Sequence, residues 1–315
     1  MHLFIAIDGA DPELARENFV KIKEIGEIKD YMTYDNTGAS FTSLITGLTP
    51  EQHGIKDLAA NTSLDIVRGE FIWNKVKCKF GTANVPTVWP PKKISGFMIC
   101  GMLTPSGKIY TYPEKLTKEL NDIGYEIWPK ILSGNTITNI IKYLIGCYLP
   151  YLIRHPLTAM KEWTWHNIYN MVLGMRPSEI HGTTPNIQNR QWDMEWRRII
   201  KSNTEGFLYL LNTYPVDIAL LCYKALDPVQ HRLFNQKELI KEWYKIQDDE
   251  IDKLLKGLKE KPESITIFSD HGMKEVSHGY IHGEHRVPGM FLSTLPNNVT
   301  HIREIFNLML SCDKK

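Results

Sequence analysis

Three short apolar runs that each give way to an aspartate constrain this chain more than anything else in it. Residues 3–7 lead into Asp8, residues 217–223 are followed shortly by Asp227, and residues 265–268 lead through Ser269 to Asp270. Runs of this length, bounded by polar residues, read as buried strands, and a further one is expected at 82–85. Between the second and third runs, Leu239, Ile240, Trp243, Tyr244, Ile251, Leu254, Leu255 and Leu258 recur at helical spacing. That pattern makes 237–258 a crossover helix, with its Lys/Glu-rich remainder as a solvated face. Strands alternating with helices predict an α/β fold with a mainly parallel central sheet flanked by helices. In such sheets ligands bind beyond the carboxyl ends of the strands, so the three aspartates are expected to converge there.

With 315 residues and 43% hydrophobic content, the chain can bury one large core, read here as a single catalytic domain over 1–315 carrying an insertion. The insertion, a helical Trp-rich cap over 103–198, stands out by its Pro and Gly. Six of the chain's eight tryptophans lie between Trp89 and Trp196. Residues 137–153 within it are strongly apolar, but Lys142 and Pro150 interrupt them and Arg154 closes them, which argues against a spanning helix. An amphipathic helix packed on the core or lining a substrate entrance is expected, with membrane-surface contact through Trp163 and Trp165 as the alternative. Lys+Arg number 37 against 36 Asp+Glu, so a formal charge of +1 gives no general pull towards nucleic acid or acidic lipid. Residues 1–9 lack a basic n-region and a small-residue cleavage site. Cys78, Cys100, Cys147, Cys222 and Cys312 form no CxxC pair, so reduced, core-packed thiols and a cytoplasmic location are expected.

Two of the aspartates bring histidines with them. His231 lies four residues after Asp227, and His271 follows Asp270 directly, with His278, His282 and His285 shortly after. Carboxylate plus imidazole is a ligand set suited to zinc or manganese. Each signal alone has a plainer reading. Asp227 before Pro228 could cap a helix, Asp8-Gly9 could punctuate a turn, and the later histidines could be exposed in a Gly-rich loop. Their joint arrival at one sheet edge favours a pair of divalent ions.

Residues 46–55 read Thr-Gly-Leu-Thr-Pro-Glu-Gln-His-Gly-Ile. Together with Ser269-Asp270-His271-Gly272-Met273, the Asp227…His231 pair and the stretch Gly283-Glu284-His285-Arg286-Val287-Pro288-Gly289, they resemble the alkaline phosphatase superfamily. The likeness is to its type I phosphodiesterase/nucleotide pyrophosphatase branch. Asn84-Val85-Pro86-Thr87 with Trp89-Pro90-Pro91, and Gly96-Phe97-Met98 with Gly101-Met102, are similar to its prokaryotic phosphohydrolase/phosphomutase members. Roughly residues 131–198 are left uncovered. The resemblance implies an alkaline-phosphatase-like fold with Thr37 as nucleophile. One metal would be held by Asp8, Thr37, Asp270 and His271, and the other by Asp227, His231 and His285, with His278 as the alternative to His285. His285 is preferred because it lies shortly before the apolar run Met290-Phe291-Leu292, where it can sit at the entrance of a strand edging the site. Zinc is the implied ion and manganese the second choice. Ser40, the other candidate catalytic residue, stands where an asparagine is common, and Gly38-Ala39 replace the usual Pro-rich surroundings. His53 is expected to satisfy backbone groups at a turn and not to bind metal.

The expected activity is metal-dependent phosphoester hydrolysis, phosphodiesterase- or nucleotide pyrophosphatase-like, on a small-molecule phosphate ester or diester through a phospho-threonine. A threonine hydroxyl is a poor nucleophile unless a metal lowers its pKa. A helix expected at 40–46 would add backbone N–H groups and a dipole for the phosphate. The alternatives are a phosphomutase or phosphotransferase, or a catalytically silent binding or membrane-docking module. A sulfatase is disfavoured, because its Cys/Ser-x-Pro-x-Arg motif is absent. After Thr37 no basic residue occurs until Lys56, so a neutral wall favours diesters over monoesters unless Arg176, Arg190 or Arg286 folds into the site.

Overall fold

The computed structural model of the chain describes residues 1–57, 63–101, 108–127, 185–278 and 281–313. Ten strands occur among them: β1 (His2–Ile7), β2 (Lys29–Tyr31), β3 (Phe80–Ala83), β4 (Gly96–Ile99), β5 (Thr111–Tyr112), β6 (Ile218–Tyr223), β7 (Ser264–Phe268), β8 (Gly272–His278), β9 (Ile281–Arg286) and β10 (Gly289–Ser293). Eight form one sheet in the order β2-β10-β7-β1-β6-β3-β4-β5, and β8 and β9 form a separate hairpin. From β7 to β4 all neighbours are parallel, while β10, β2 and β5 add antiparallel edges. The mainly parallel sheet expected from the alternating pattern is thus present.

Helices cover both faces, which is why β1 and β6 are buried along their whole length and read as unbroken apolar runs. They are α1 (Pro12–Asn18), α2 (Lys21–Ile25), α3 (Thr37–Thr46), α4 (Pro50–His53), α5 (Ile72–Lys75), α6 (Lys115–Asp122), α7 (Pro185–Thr213), α8 (Leu226–Leu233), α9 (Lys237–Gly257) and α10 (Ile305–Ser311). Alternation along the strands assigns the two faces. Leu3, Ile5 and Ile7 of β1 join Leu221 and Tyr223 of β6 in a core with Ile200 and Phe207 of α7 and Trp243 and Ile251 of α9. Phe4 and Ala6 join Leu220 and Cys222 in a second core with Phe41, Leu44 and Ile45 of α3. Each large apolar side chain so buried contributes about 1.5–3 kcal/mol of transfer free energy.

The described part of the expected insertion packs on the main core. β5 extends the sheet beside β4, and Tyr125, Ile127 and Trp196 are buried in the core shared with α9. Position 198 falls inside α7. Residues 137–153, Trp163 and Trp165 lie outside the described residues. Among those described, no helix is long and apolar enough to cross a membrane. Cys78 is half-buried and Cys100, Cys222 and Cys312 are buried, and burial pushes the thiols of Cys78 and Cys100 up to about 12.

Candidate metal and phosphate site

Each aspartate reaches the carboxyl edge of the sheet by a different local device. Asp8 follows β1, and its N–H continues the ladder to the Tyr223 carbonyl at 2.9 Å. Gly9 then turns with φ +72°, where a Cβ would lie 3.1 Å from that of Asp227, so a glycine is required for this approach. Its N–H donates to Asp270 Oδ1 at 3.1 Å, tying two of the aspartates together. Asp227 lies inside the first turn of α8, whose cap is Ala225, so the plainer reading of Asp227 as an N-cap is set aside. One helical turn on, His231 sits on the same face as Asp227.

The described residues of the histidine-bearing segment that follows Asp270 are mainly strand. β8 and β9 pair as an antiparallel hairpin that begins directly after His271 and carries His285. His285 therefore lies within β9, which corrects the expectation that it stands at the entrance of the strand formed by Met290-Phe291-Leu292; that strand is β10. Gly283 lets the hairpin close on α8, since a Cβ there would lie 2.6 Å from the Gln230 carbonyl oxygen. The Arg286 guanidinium fixes the hairpin to the turn after β1 by donating to Asp11 Oδ2 at 2.7 Å and Oδ1 at 3.0 Å. Arg286 is thereby committed away from a substrate role, and Arg176 and the Arg190 side chain lie outside the described residues.

Two sets of donor atoms result. Asp8, Asp270 and His271 form one and Asp227, His231 and His285 the other, with the donor atoms of each set within 4.8 Å of one another. All three histidines are oriented in the same way. Nδ1 donates to a main-chain carbonyl, that of Gly283 for His231 at 2.8 Å, Gly272 for His271 at 3.0 Å and Asp35 for His285 at 3.1 Å. Each Nε2 is thereby turned towards the carboxylates, as in metal-ligating histidines. The His278 side chain lies outside the described residues; its backbone pairs with Ile281 at the far end of the hairpin.

The electrostatics of these sets call for cations. Asp8 Oδ1, Asp227 Oδ1 and Asp270 Oδ2 are buried and accept no hydrogen bond. A native structure leaves such oxygens unpartnered only where something else binds them. Burial, then the charges of Asp270 and Asp227, hold the Asp8 carboxyl well above the usual carboxylate range, and burial lifts Asp270 to about 6. Burial also opposes ionisation of Asp227, but His231 and His285 outweigh it and hold that carboxyl well below its usual range. Despite burial, Asp227 raises His231 to about 9 and His285 above its ordinary value. Their Nε2 atoms are 2.8 Å apart, which requires a proton or a cation between two lone pairs. Burial and repulsion from His285 push His271 down to about 4, so its Nε2 stays an acceptor. The donor set, mixed carboxylate and imidazole in two groups, fits two divalent ions.

Thr37 is the first residue of α3, which starts three residues earlier than the sequence suggested, and its hydroxyl lies 3.2 Å from His271 Nε2. The hydroxyl donates here, because His271 Nδ1 already donates to Gly272. Asn36 caps the helix, its Oδ1 accepting from the N–H groups of Gly38 at 2.8 Å and Ala39 at 3.3 Å. Two of the N–H groups expected to face the phosphate are thus occupied, and the helix dipole remains. Ser40 is buried one turn on, its hydroxyl donating to the Asp270 carbonyl at 2.8 Å, so it ties α3 to the end of β7. His53 satisfies a backbone group at the turn after α4: Nδ1 accepts from the Ile55 N–H at 3.1 Å, and Nε2 faces Ser43 Oγ at 2.9 Å. Sequence reasoning missed Lys224, a buried lysine 3.9 Å from Asp8 Oδ2. The available signal was a charge placed at the end of the six-residue apolar strand β6.

Fold and site together define an α/β protein whose sheet edge holds two carboxylate–imidazole sets beside a helix-terminal threonine. The chain belongs to the type I phosphodiesterase / nucleotide pyrophosphatase family, whose model it matches over residues 3–289. By sequence it has no significant match among curated proteins. Among solved structures it is similar to murine ectonucleotide pyrophosphatase / phosphodiesterase 5, with 11% identity and a TM-score of 0.43 over 88% of this chain and 58% of that one. Phosphonoacetate hydrolase from Sinorhizobium meliloti 1021, solved with phosphonoacetate, shows 13% identity and a TM-score of 0.44 over 88% and 57%. Alkaline phosphatase from the Antarctic bacterium TAB5 shows 12% identity and a TM-score of 0.43 over 99% and 97%. The chain spans less than two thirds of the length of the first two.

Proposed function

We propose that this chain is a metal-dependent phosphoester hydrolase of the phosphodiesterase type, acting on small phosphate esters through a phospho-Thr37 intermediate. The observation that carries the reading is the pair of donor sets, with three buried carboxylate oxygens that accept no hydrogen bond, next to the Thr37 hydroxyl. Asp8, Asp270, His271 and Thr37 would hold one divalent ion, and Asp227, His231 and His285 the other. Zinc suits these donors best, with manganese second. When bound, the ions supply Lewis acidity, lowering the pKa of the attacking group and offsetting charge on the phosphoryl oxygens.

The remaining work falls to the chain itself. The start of α3 places Thr37 Oγ1 beside His271 Nε2, where one ion would take both atoms in place of their hydrogen bond; the threonine oxygen attacks phosphorus and forms a new O–P bond as the ester oxygen departs with the hydroxyl proton. Ser40 acts as a positioning residue, locking α3 to the Asp270 main chain so that nucleophile and ligand keep their separation. The carbonyls of Gly283, Gly272 and Asp35 hold the three imidazoles in the ligating tautomer. Water then cleaves the phospho-threonine and restores the hydroxyl. The test is metal analysis of purified protein together with a screen of phosphate mono- and diesters before and after chelation. Two zinc or manganese ions per chain and turnover that chelator removes support the reading; active protein free of stoichiometric metal overturns it.

A further inference from the structure

Lys224 directly follows β6 and is 3% exposed, yet its ammonium donates no hydrogen bond. It lies 3.9 Å from Asp8 Oδ2, beyond hydrogen-bond length but well inside Coulomb range. An ammonium is costly to bury unless nearby charge compensates it, so its retention at a strand end needs a reason. Its position in the sheet supplies one. Phe4 and Ala6 of β1, and Leu220 and Cys222 of β6, pack with Phe41, Leu44 and Ile45 of α3. The period of two carries Asp8 and Lys224 to that same face, the one on which α3 places Thr37.

We propose that Lys224 is a fixed cation of the phosphate site that extends its substrate range from diester monoanions to monoester dianions. The inference rests on the hydrolase reading above. Three carboxylates set against two divalent ions leave one excess positive charge, since imidazoles are neutral when they ligate. Lys224 makes the excess two. A phosphate monoester carries one more negative charge than the matching diester, both when bound and during transfer, so a nearby cation favours it selectively. Lys224 acts across Asp8 and sets charge, without being a catalytic residue. The neutral wall expected from the sequence allowed for Arg176, Arg190 or Arg286 from distant segments but not for Lys224, which enters from the strand next to β1.

The test compares wild type with Lys224→Met and Lys224→Arg, all loaded with zinc. An aryl phosphate monoester and the matching methyl aryl diester give kcat/KM, and calorimetry gives the binding of inorganic phosphate and of dimethyl phosphate. Lys224→Met should lower the monoester-to-diester ratio and weaken inorganic phosphate by on the order of tenfold, while dimethyl phosphate changes by no more than about twofold. Lys224→Arg should keep the ratio within about threefold of wild type. Zinc titrated into metal-free Lys224→Met should bind at least as tightly as to wild type, because a repelling charge has been removed; a purely structural lysine would give weaker zinc binding. An unchanged ratio, or equal losses on both substrates, overturns the inference. Should Lys224→Met prove insoluble, Lys224→Gln is judged by the same criteria. Wild type that binds no zinc and turns over neither ester would instead overturn the hydrolase reading itself.

Discussion

Replacing Asp270 by Asn isolates the cost of storing negative charge in the metal-free site. The Asp270 side chain is fully buried, its Oδ2 has no hydrogen-bond partner, and burial with the charge of Asp227 raises its carboxyl from 3.8 to about 6. At 1.36 kcal/mol per pH unit, that displacement costs the folded, metal-free protein about 3 kcal/mol once the group ionises. The folded-state pKa lies above the unfolded one, so this stability is present below about pH 4 and is lost as the pH rises towards 6. Asparagine keeps an oxygen for the Gly9 N–H and cannot ionise. In chelator at neutral pH, Asp270→Asn should therefore melt higher than wild type by roughly 4 °C, given an unfolding entropy of about 2.1 cal/mol/K per residue and hence about 1.5 °C per kcal/mol in a chain of 315 residues. Near pH 4 the two should converge. Zinc should raise the wild-type melting temperature by more than that of the variant, which keeps only the Asp227, His231 and His285 set intact, since binding to the folded state alone stabilises it. Calorimetric melts with chelator and with zinc at both pH values make the check. If Asp270→Asn is less stable than wild type in chelator at neutral pH, the claim that this carboxylate is held against its own electrostatics is refuted.

Other outcomes follow from the same geometry. Thr37→Ala should lose turnover by at least about a thousandfold while binding both zinc ions and melting within a few degrees of wild type, as titration and melts will show; near-normal rates would move the nucleophile elsewhere. His285→Ala should lose one zinc ion by elemental analysis and His278→Ala none, because His285 Nε2 lies 3.2 Å from Asp227 Oδ1; the reverse result would reassign the ligand. His53→Ala should cost about 2–4 kcal/mol in denaturant melts through lost hydrogen bonds to Ile55 and Ser43, with zinc stoichiometry unchanged. Burial lowers His53 from 6.5 to about 4, so its contribution is complete above about pH 6.5 and fades as the pH falls to 4. Wild type and variant should accordingly draw together in stability over that interval.

The parts of the fold legible in the sequence are those where one periodicity rules. β1, β6 and β7 are largely buried on both faces and show as apolar runs, and α9 shows its buried stripe of Ile240, Trp243, Tyr244, Ile251 and Leu254. The edges were not legible. β2 is three residues long and β5 two, too short for any pattern to emerge. The β8–β9 hairpin escaped because its positions serve the site: Gly283 makes room for α8 and His285 turns to Asp227, so neither alternates as a strand should. The site residues were found because aspartates after apolar runs and paired histidines are chemically conspicuous. Lys224 was not, since its significance depends on a neighbour, Asp8, more than two hundred residues away in the chain and adjacent only through the β1–β6 register. The expectation that free N–H groups at the start of α3 face the phosphate failed at Gly38 and Ala39 for a local reason, because the Asn36 side chain reaches them first.

The most direct measurement is acid-quenched turnover of an aryl phosphate ester by the zinc-loaded protein, followed by peptide mapping of the phosphoryl group. The account requires phosphate on Thr37, absent in Thr37→Ala and absent after chelation. A phosphoryl group on Ser40, Ser43 or a histidine, or steady turnover by Thr37→Ala with no phosphorylated peptide, would contradict it.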